Sequence, residues 1–167
     1  MDSTPKKILF LCTGNSCRSI LAEAILQQRG SPRFQAFSAG SHPKRTVHPQ
    51  AIALLKKLRY QTASFRSKSW DEFIGNSAPK LDIVITVCGN AAAETCPIWI
   101  GAPLQTHWGI EDPADAVGSQ DEIETAFQLA YDRLFQRITA FLEISVENLS
   151  SSDLKVALDK IGHEGVL

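Results

Sequence analysis

The feature that most constrains this chain is an apolar run, Ile8 to Leu11, that stops at Cys12 and gives way to a loop of small residues. A short continuous apolar run suits a strand covered on both faces. Thr13, Gly14, Asn15, Ser16 and Cys17 follow, then Arg18; from Ser19 onward Ile20, Leu21, Ala24, Ile25 and Leu26 recur at helical spacing until Gly30. The unit reads as strand, tight loop, helix. Gly14 and Asn15 tolerate left-handed backbone angles, so successive N–H groups of such a loop converge on one point and form a nest for an anion. The helix N-terminus adds positive potential there, and Arg18 can fork two N–H donors onto a tetrahedral oxyanion. A thiol in that field is favoured as thiolate. Cys12 is therefore read as a nucleophile aimed at the central atom of an oxyanion held by the loop and Arg18.

The strand–helix alternation continues. Phe34 to Ser38 reads as a second strand, broken by Ala39-Gly40, and His48-Pro49 opens a helix through Ile52, Leu54, Leu55 and Leu58. Ile83 to Val87 is a third, β-branched strand that again ends at a cysteine, Cys88, and Leu104 to Ile110 holds a short fourth. Glu122 to Ile144 is a long amphipathic helix. The residues from Ser145 read as a linker and then a short helix, Asp153 to Ile161, that packs on the domain or frays. Such alternation implies an α/β fold with a parallel sheet, right-handed crossovers and helices on both faces. Ligands bind such sheets beyond the carboxyl ends of the strands, where strand order reverses. With the order 2-1-3-4, the reversal lies between strands one and three, which end in Cys12 and Cys88. Neighbouring strands lie ~4.8 Å apart, so the two thiols become neighbours at the site.

Composition narrows the chemistry. The 167 residues are 44% hydrophobic and 21% charged, with a net charge of −1, as in a globular domain with a real core. That charge gives no general attraction to nucleic acid or an anionic membrane. The pairs Lys6-Lys7, Lys44-Arg45 and Lys56-Lys57 read as solvated faces. No stretch is long and apolar enough for a membrane span and the polar start carries no signal peptide, so a cytoplasmic location is expected. In that compartment the four cysteines should be reduced and available for chemistry. A zinc site built from Cys12, Cys17, Cys88 and Cys96 is disfavoured by Arg18 in the same loop and by the lack of suitably spaced histidines. The Gly-Lys-Ser/Thr end of a nucleotide P-loop is absent.

Taken together, "CTGNSCRSILAEA", "FSAGSHP", "VHPQAI", "DIVITVCGNAAAETCP" and "HWGIEDPAD" resemble the arsenate reductases built on the low-molecular-weight protein tyrosine phosphatase fold, over roughly Lys7 to Leu142. The resemblance implies a three-layer α/β/α domain over residues 1–144 with a four-stranded parallel sheet, and a C-terminal extension over 145–167. It implies that Cys12 attacks arsenate held by Thr13, Gly14, Asn15, Ser16, Cys17, Arg18 and Ser19. Ser19 would hydrogen-bond the thiolate, Asn15 would hold the loop shape, and Asp112 would protonate the departing oxygen. Cys88 would be the second nucleophile, releasing arsenite, and Cys96 would carry the disulfide to thioredoxin or a glutaredoxin-type reductant. This is a role in arsenic detoxification, performed by a monomer without a cofactor, with phosphate or sulfate as competing anions. A phosphatase of the same fold would need the cradle and Asp112 but neither Cys88 nor Cys96, and would usually carry an aromatic where Ala114 stands. A regulatory oxyanion-binding module would leave the three thiols without a use. Asp112 also suits a plain turn before Pro113, and Cys17 reads as a small loop-shaping residue or as a disulfide partner of Cys12.

Two departures from the family pattern carry expectations of their own. Seven residues separate Cys88 from Cys96, one more than in the thioredoxin-coupled members. Asn90 and the alanines after it favour a helix, which rises ~12 Å over eight residues, whereas a disulfide tolerates only ~4.4–6.8 Å between α-carbons. That segment must unwind for the two sulfurs to bond. Some members also hold potassium with Asn, Glu, Ser and Asp oxygens; Asn15, Glu23 and Ser38 are present, but Lys68 falls where an acidic ligand is expected. Its ammonium stands in for the ion in this reading, and no metal is required.

Overall fold

The computed structural model describes residues 4–89, 99 and 101–164. Four parallel strands, β1 (Lys6–Cys12), β2 (Phe34–Gly40), β3 (Ile83–Thr86) and β4 (Leu104–His107), form one sheet in the order β2-β1-β3-β4. Among the described residues the longer helices are α1 (Arg18–Gly30), α2 (Pro49–Lys57), α3 (Gln120–Leu142) and α4 (Ser151–Glu164). This is the sheet order read from the sequence.

Alternation along β1 explains why its apolar run is unbroken. Ile8, Phe10 and Cys12 enter one core, with α1, α2, α3 and α4, while Leu9 and Leu11 enter a second on the opposite face, with Ala39, Phe73, Leu81, Val84 and Trp99. The sheet is thus the middle of three layers. A 3-10 turn, Trp70–Phe73, covers part of the second face, where the Trp70 and Trp99 rings meet edge to face at 6.3 Å. Long α3 is started by a capping box, Ser119 with Glu122. Each strand hands the site its carboxyl end, because all four run the same way.

Strand β2 runs two residues beyond Ser38, through the break expected at Ala39-Gly40. Gly40 still pairs with Cys12, and its amide donates to Lys68 O at 2.9 Å. A Cβ on Gly40 would run into Thr13 O and come within 2.9 Å of Asn15 N, so the glycine lets the nucleophile loop pass close over the strand. The tail is a packed helix: Leu158 is fully buried, the indole of fully buried Trp108 donates to Leu158 O at 3.0 Å, and Thr106 Oγ1 donates to Asp159 Oδ1 at 2.7 Å. The expected Asn90-capped helix, its unwinding and Cys96 lie outside the described residues.

Candidate active site

Cys12 ends β1, 3% exposed, and its Sγ lies 2.9 Å from Ser19 Oγ and accepts from Asn15 N at 3.2 Å. Asn15 supplies the left-handed turn at φ +44°, a conformation asparagine enters more readily than most residues. Its wholly buried side chain ties the loop's far end to the segment around Lys68. Nδ2 donates to Ser19 Oγ at 2.7 Å, and Oδ1 accepts from Lys68 N at 2.8 Å. With its amide committed to Asn15 Oδ1, Lys68 leads a segment that braces the loop from below; Ser67 Oγ also donates to Gly14 O at 3.0 Å.

The loop after β2 braces the other side. His42 N donates to Thr13 O and Lys44 N to Gly14 O, both at 2.9 Å, and His48 N donates to Ser16 O at 3.0 Å. The carbonyls of the nucleophile loop are thereby turned outward to these partners, which leaves its amides for an anion. Arg18, at the start of α1, donates through Nη1 to Ile110 O at 3.1 Å, and its Nη2 lies 3.3 Å from Asp112 Oδ2. Asp112 Oδ1 caps the short turn Pro113–Asp115 by accepting from Ala114 N at 3.0 Å. The turn role and a position at the cradle therefore coexist in one carboxylate.

Cys88 lies two residues beyond β3, 2% exposed, with its Sγ 3.6 Å from Thr13 Oγ1. A cavity of about 710 Å³ joins Cys88, Arg18 and Asp112 to Glu111, Arg133 and Leu129. Cys12 and Cys17 are free thiols. Burial, followed by the charge of Asp112, pushes the Cys17 thiol up to about 12, so Cys17 stays protonated at neutral pH. Of the residues expected at the site, the nucleophile loop 12–19, Cys88 and Asp112 come together.

The residues do not fit a potassium ion. Lys68 Nζ lies 3.9 Å from Glu23 Oε1 and donates to Arg66 O at 3.1 Å, and Ser38 Oγ donates to the same carboxylate oxygen of Glu23. An ammonium thus already faces the one carboxylate at this position. Burial, opposed by Lys68, raises the Glu23 pKa, and burial, opposed by Glu23, lowers that of Lys68. Among the described residues no group of three or more His, Cys, Asp or Glu is arranged to hold a metal.

Sequence reasoning missed His42 and Lys44, which line the cradle, and Arg137, 6% exposed, whose Nη1 donates to Trp108 O at 3.2 Å and Gly109 O at 3.1 Å and so anchors the strap leading to Asp112. The "FSAGSHP" motif was the available signal for His42; it ends one residue short of Lys44, which with Arg45 reads from the sequence as a solvated face. Nothing local marks Arg137, which reaches the strap from a helix 28 residues further on.

A parallel sheet with a buried cysteine at the end of β1, a loop whose carbonyls are turned outward and a paired Arg18 and Asp112 at its carboxyl edge defines a phosphatase-like oxyanion site. The sequence matches the low molecular weight phosphotyrosine protein phosphatase family over residues 7–160, and the chain belongs to that family. It is 36% identical over 138 residues to an arsenate reductase of Bacillus subtilis (strain 168), covering 83% of this chain and 96% of that one. An arsenate reductase of Oceanobacillus iheyensis is 37% identical over 136 residues, covering 81% and 94%. Among solved structures, an arsenate reductase in the phosphate binding state superposes with a TM-score of 0.61 at 28% identity, over 80% of this chain and 97% of that one. The thioredoxin-dependent arsenate reductase of Corynebacterium glutamicum shares the fold, with a TM-score of 0.60 at 22% identity; the match covers 87% of this chain and 65% of that one.

Proposed function

We propose that the chain is an arsenate reductase working through a thiol relay from Cys12 to Cys88 to Cys96, with thioredoxin or a similar dithiol protein as reductant. The observation that carries this reading is Cys88, buried beside the nucleophile loop with its sulfur against Thr13. Ester hydrolysis has no use for a second thiol there, and reduction requires one. The arsenate reductases at 36% and 37% identity, matched over nearly their whole length, support the same reaction.

The Cys12 thiolate attacks arsenic(V) bound by the loop amides and Arg18, an As–S bond forms, and Asp112 protonates the oxygen that leaves as water. The Cys88 thiolate then attacks Cys12 Sγ. The S–S bond forms, the As–S electron pair passes to arsenic, and arsenic(III) departs as arsenite; two thiols have been oxidised by two electrons. Cys96 attacks Cys88 Sγ, freeing Cys12, and the reductant's thiols attack the Cys88–Cys96 disulfide. Lys68 takes the place of a metal ion beside Glu23.

The test is arsenate-dependent NADPH oxidation with thioredoxin and thioredoxin reductase. Cys12→Ser and Cys88→Ser are each expected to lower turnover by more than about a thousandfold, and Asp112→Asn by about 10²–10⁴. Cys96→Ser is expected to complete one reduction per molecule and stop. Fast aryl phosphate hydrolysis that survives Cys88→Ser, without arsenate turnover in the parent, would give the site to a phosphatase instead.

A further inference from the structure

The rim of the cradle carries a cation that the strand–loop–helix unit does not supply. A cavity of about 150 Å³ opens over Cys12 and Gly14, walled by Arg18, Asp112, His42 and Lys44. It is well below the roughly 300–1,000 Å³ of a pocket for a drug-sized ligand, so it holds one small anion. Part of the charge of Arg18 is already answered within the site, because its guanidinium faces Asp112 Oδ2 and Ile110 O. Lys44 makes no ion pair among the described residues. Its backbone amide is fixed to Gly14 O at 2.9 Å. Its methylene stem lies along the bare face of Gly14, where a Cβ would meet Cε at 3.2 Å, Cγ at 3.3 Å and Cδ at 3.4 Å. The stem is thus laid on the nucleophile loop itself, and the ammonium is held at the lip while staying hydrated.

We propose that Lys44 is a substrate-binding residue: its ammonium is the second positive charge of the cradle and draws in a doubly charged tetrahedral oxyanion. This deepens the reading of the site as an arsenate site and rests on that reading only for the identity of the anion. A lip cation meets the outer oxygens of the anion before and during attack alike, so it lowers KM rather than raising kcat. Being exposed, it is also screened by salt.

Lys44→Met keeps the stem over Gly14 and removes the charge; Lys44→Arg restores the charge. In Lys44→Met the KM for arsenate and the inhibition constant of inorganic phosphate are both expected to rise about tenfold at low salt, with kcat within about twofold. The rise is expected to shrink in 0.5 M salt, and Lys44→Arg is expected to return both constants to within about threefold of the parent. A readout free of turnover compares alkylation of Cys12 by anionic iodoacetate and neutral iodoacetamide, followed by peptide mass spectrometry. The ratio of the two rates is expected to fall about tenfold in Lys44→Met. An unchanged ratio together with an unchanged phosphate constant would overturn the assignment. A fallen ratio in a protein that never reduces arsenate would leave Lys44 in place and overturn the reductase reading alone.

Discussion

Cys17 has the same functional group as Cys12, five residues away in one loop and equally buried, and the two differ in what their sulfurs meet. Cys12 Sγ accepts from Asn15 N and lies against Ser19 Oγ. Cys17, at the N-terminal cap of α1, packs in the core, 4% exposed, and burial with the nearby Asp112 charge lifts its thiol to about 12. A group raised on folding stabilises the native state fully below its unfolded value, ~8.5 for a thiol, and that contribution is lost as pH rises through the folded value. At pH 8 iodoacetamide is therefore expected to modify Cys12 and leave Cys17 untouched in folded protein, while urea makes both reactive. Cys17→Ala is expected to change turnover by less than about threefold, since the neutral thiol takes no part in attack. Labelling of Cys17 at a rate equal to that of Cys12 would contradict this assignment. The sequence alone left Cys17 between a loop-shaping role and a disulfide, because spacing shows proximity in the chain and not what lies beneath the loop.

At the scale of elements, the nucleophile loop is held by two braces, the segment 42–48 after β2 and the segment 66–69. The second closes on the sheet through a bridge from Ser69 to Gly40 and on the loop through Lys68 N and Asn15 Oδ1. Lys68 Nζ and Glu23 face each other beneath it, 9% and 17% exposed. Removing one partner of a buried pair leaves an uncompensated charge. Lys68→Met is expected to lower the melting temperature by about 4–8 °C, and in the parent, exchange of sodium chloride for potassium chloride is expected to leave it unchanged. Thermal unfolding in the two salts checks both; a potassium-dependent rise in the parent would give the Glu23 carboxylate to a metal ion. The strands and helices were legible because periodicity reports burial directly. The end of β2 was not: Ala39-Gly40 reads as a break until Thr13 O and Asn15 N are seen crossing the glycine.

At the scale of the whole molecule, the acid-bearing strap is fixed from the far side of the domain. Arg137 of α3 donates to Trp108 O and Gly109 O, and α4 receives the Trp108 indole. Gly162 lets the two backbones meet: a Cβ there would run into His107 O and come within 2.9 Å of Trp108 Cδ1. Gly162→Ala is expected to cost about 1–3 kcal/mol of stability as the helix is pushed off the strap, and chemical denaturation measures it. A change under about 0.5 kcal/mol would mean that α4 yields without strain. From the sequence the tail reads as a short helix over Asp153 to Ile161, without showing whether it packs; the helix runs Ser151–Glu164. Its partners lie some fifty residues back along the chain, and pairings that distant leave no local pattern.

Strand β4 ends the sheet, and the outermost strand of any sheet offers a row of unpaired amides and carbonyls to other chains. Here Lys155 Nζ takes up Gln105 O at 2.6 Å, Asp159 receives the Thr106 hydroxyl, and Gly162 closes over His107 O. The same helix that steadies the strap is thus a guard against edge-to-edge aggregation: it seals one hem of the sheet, and a chain cut before Ser151 would bare it.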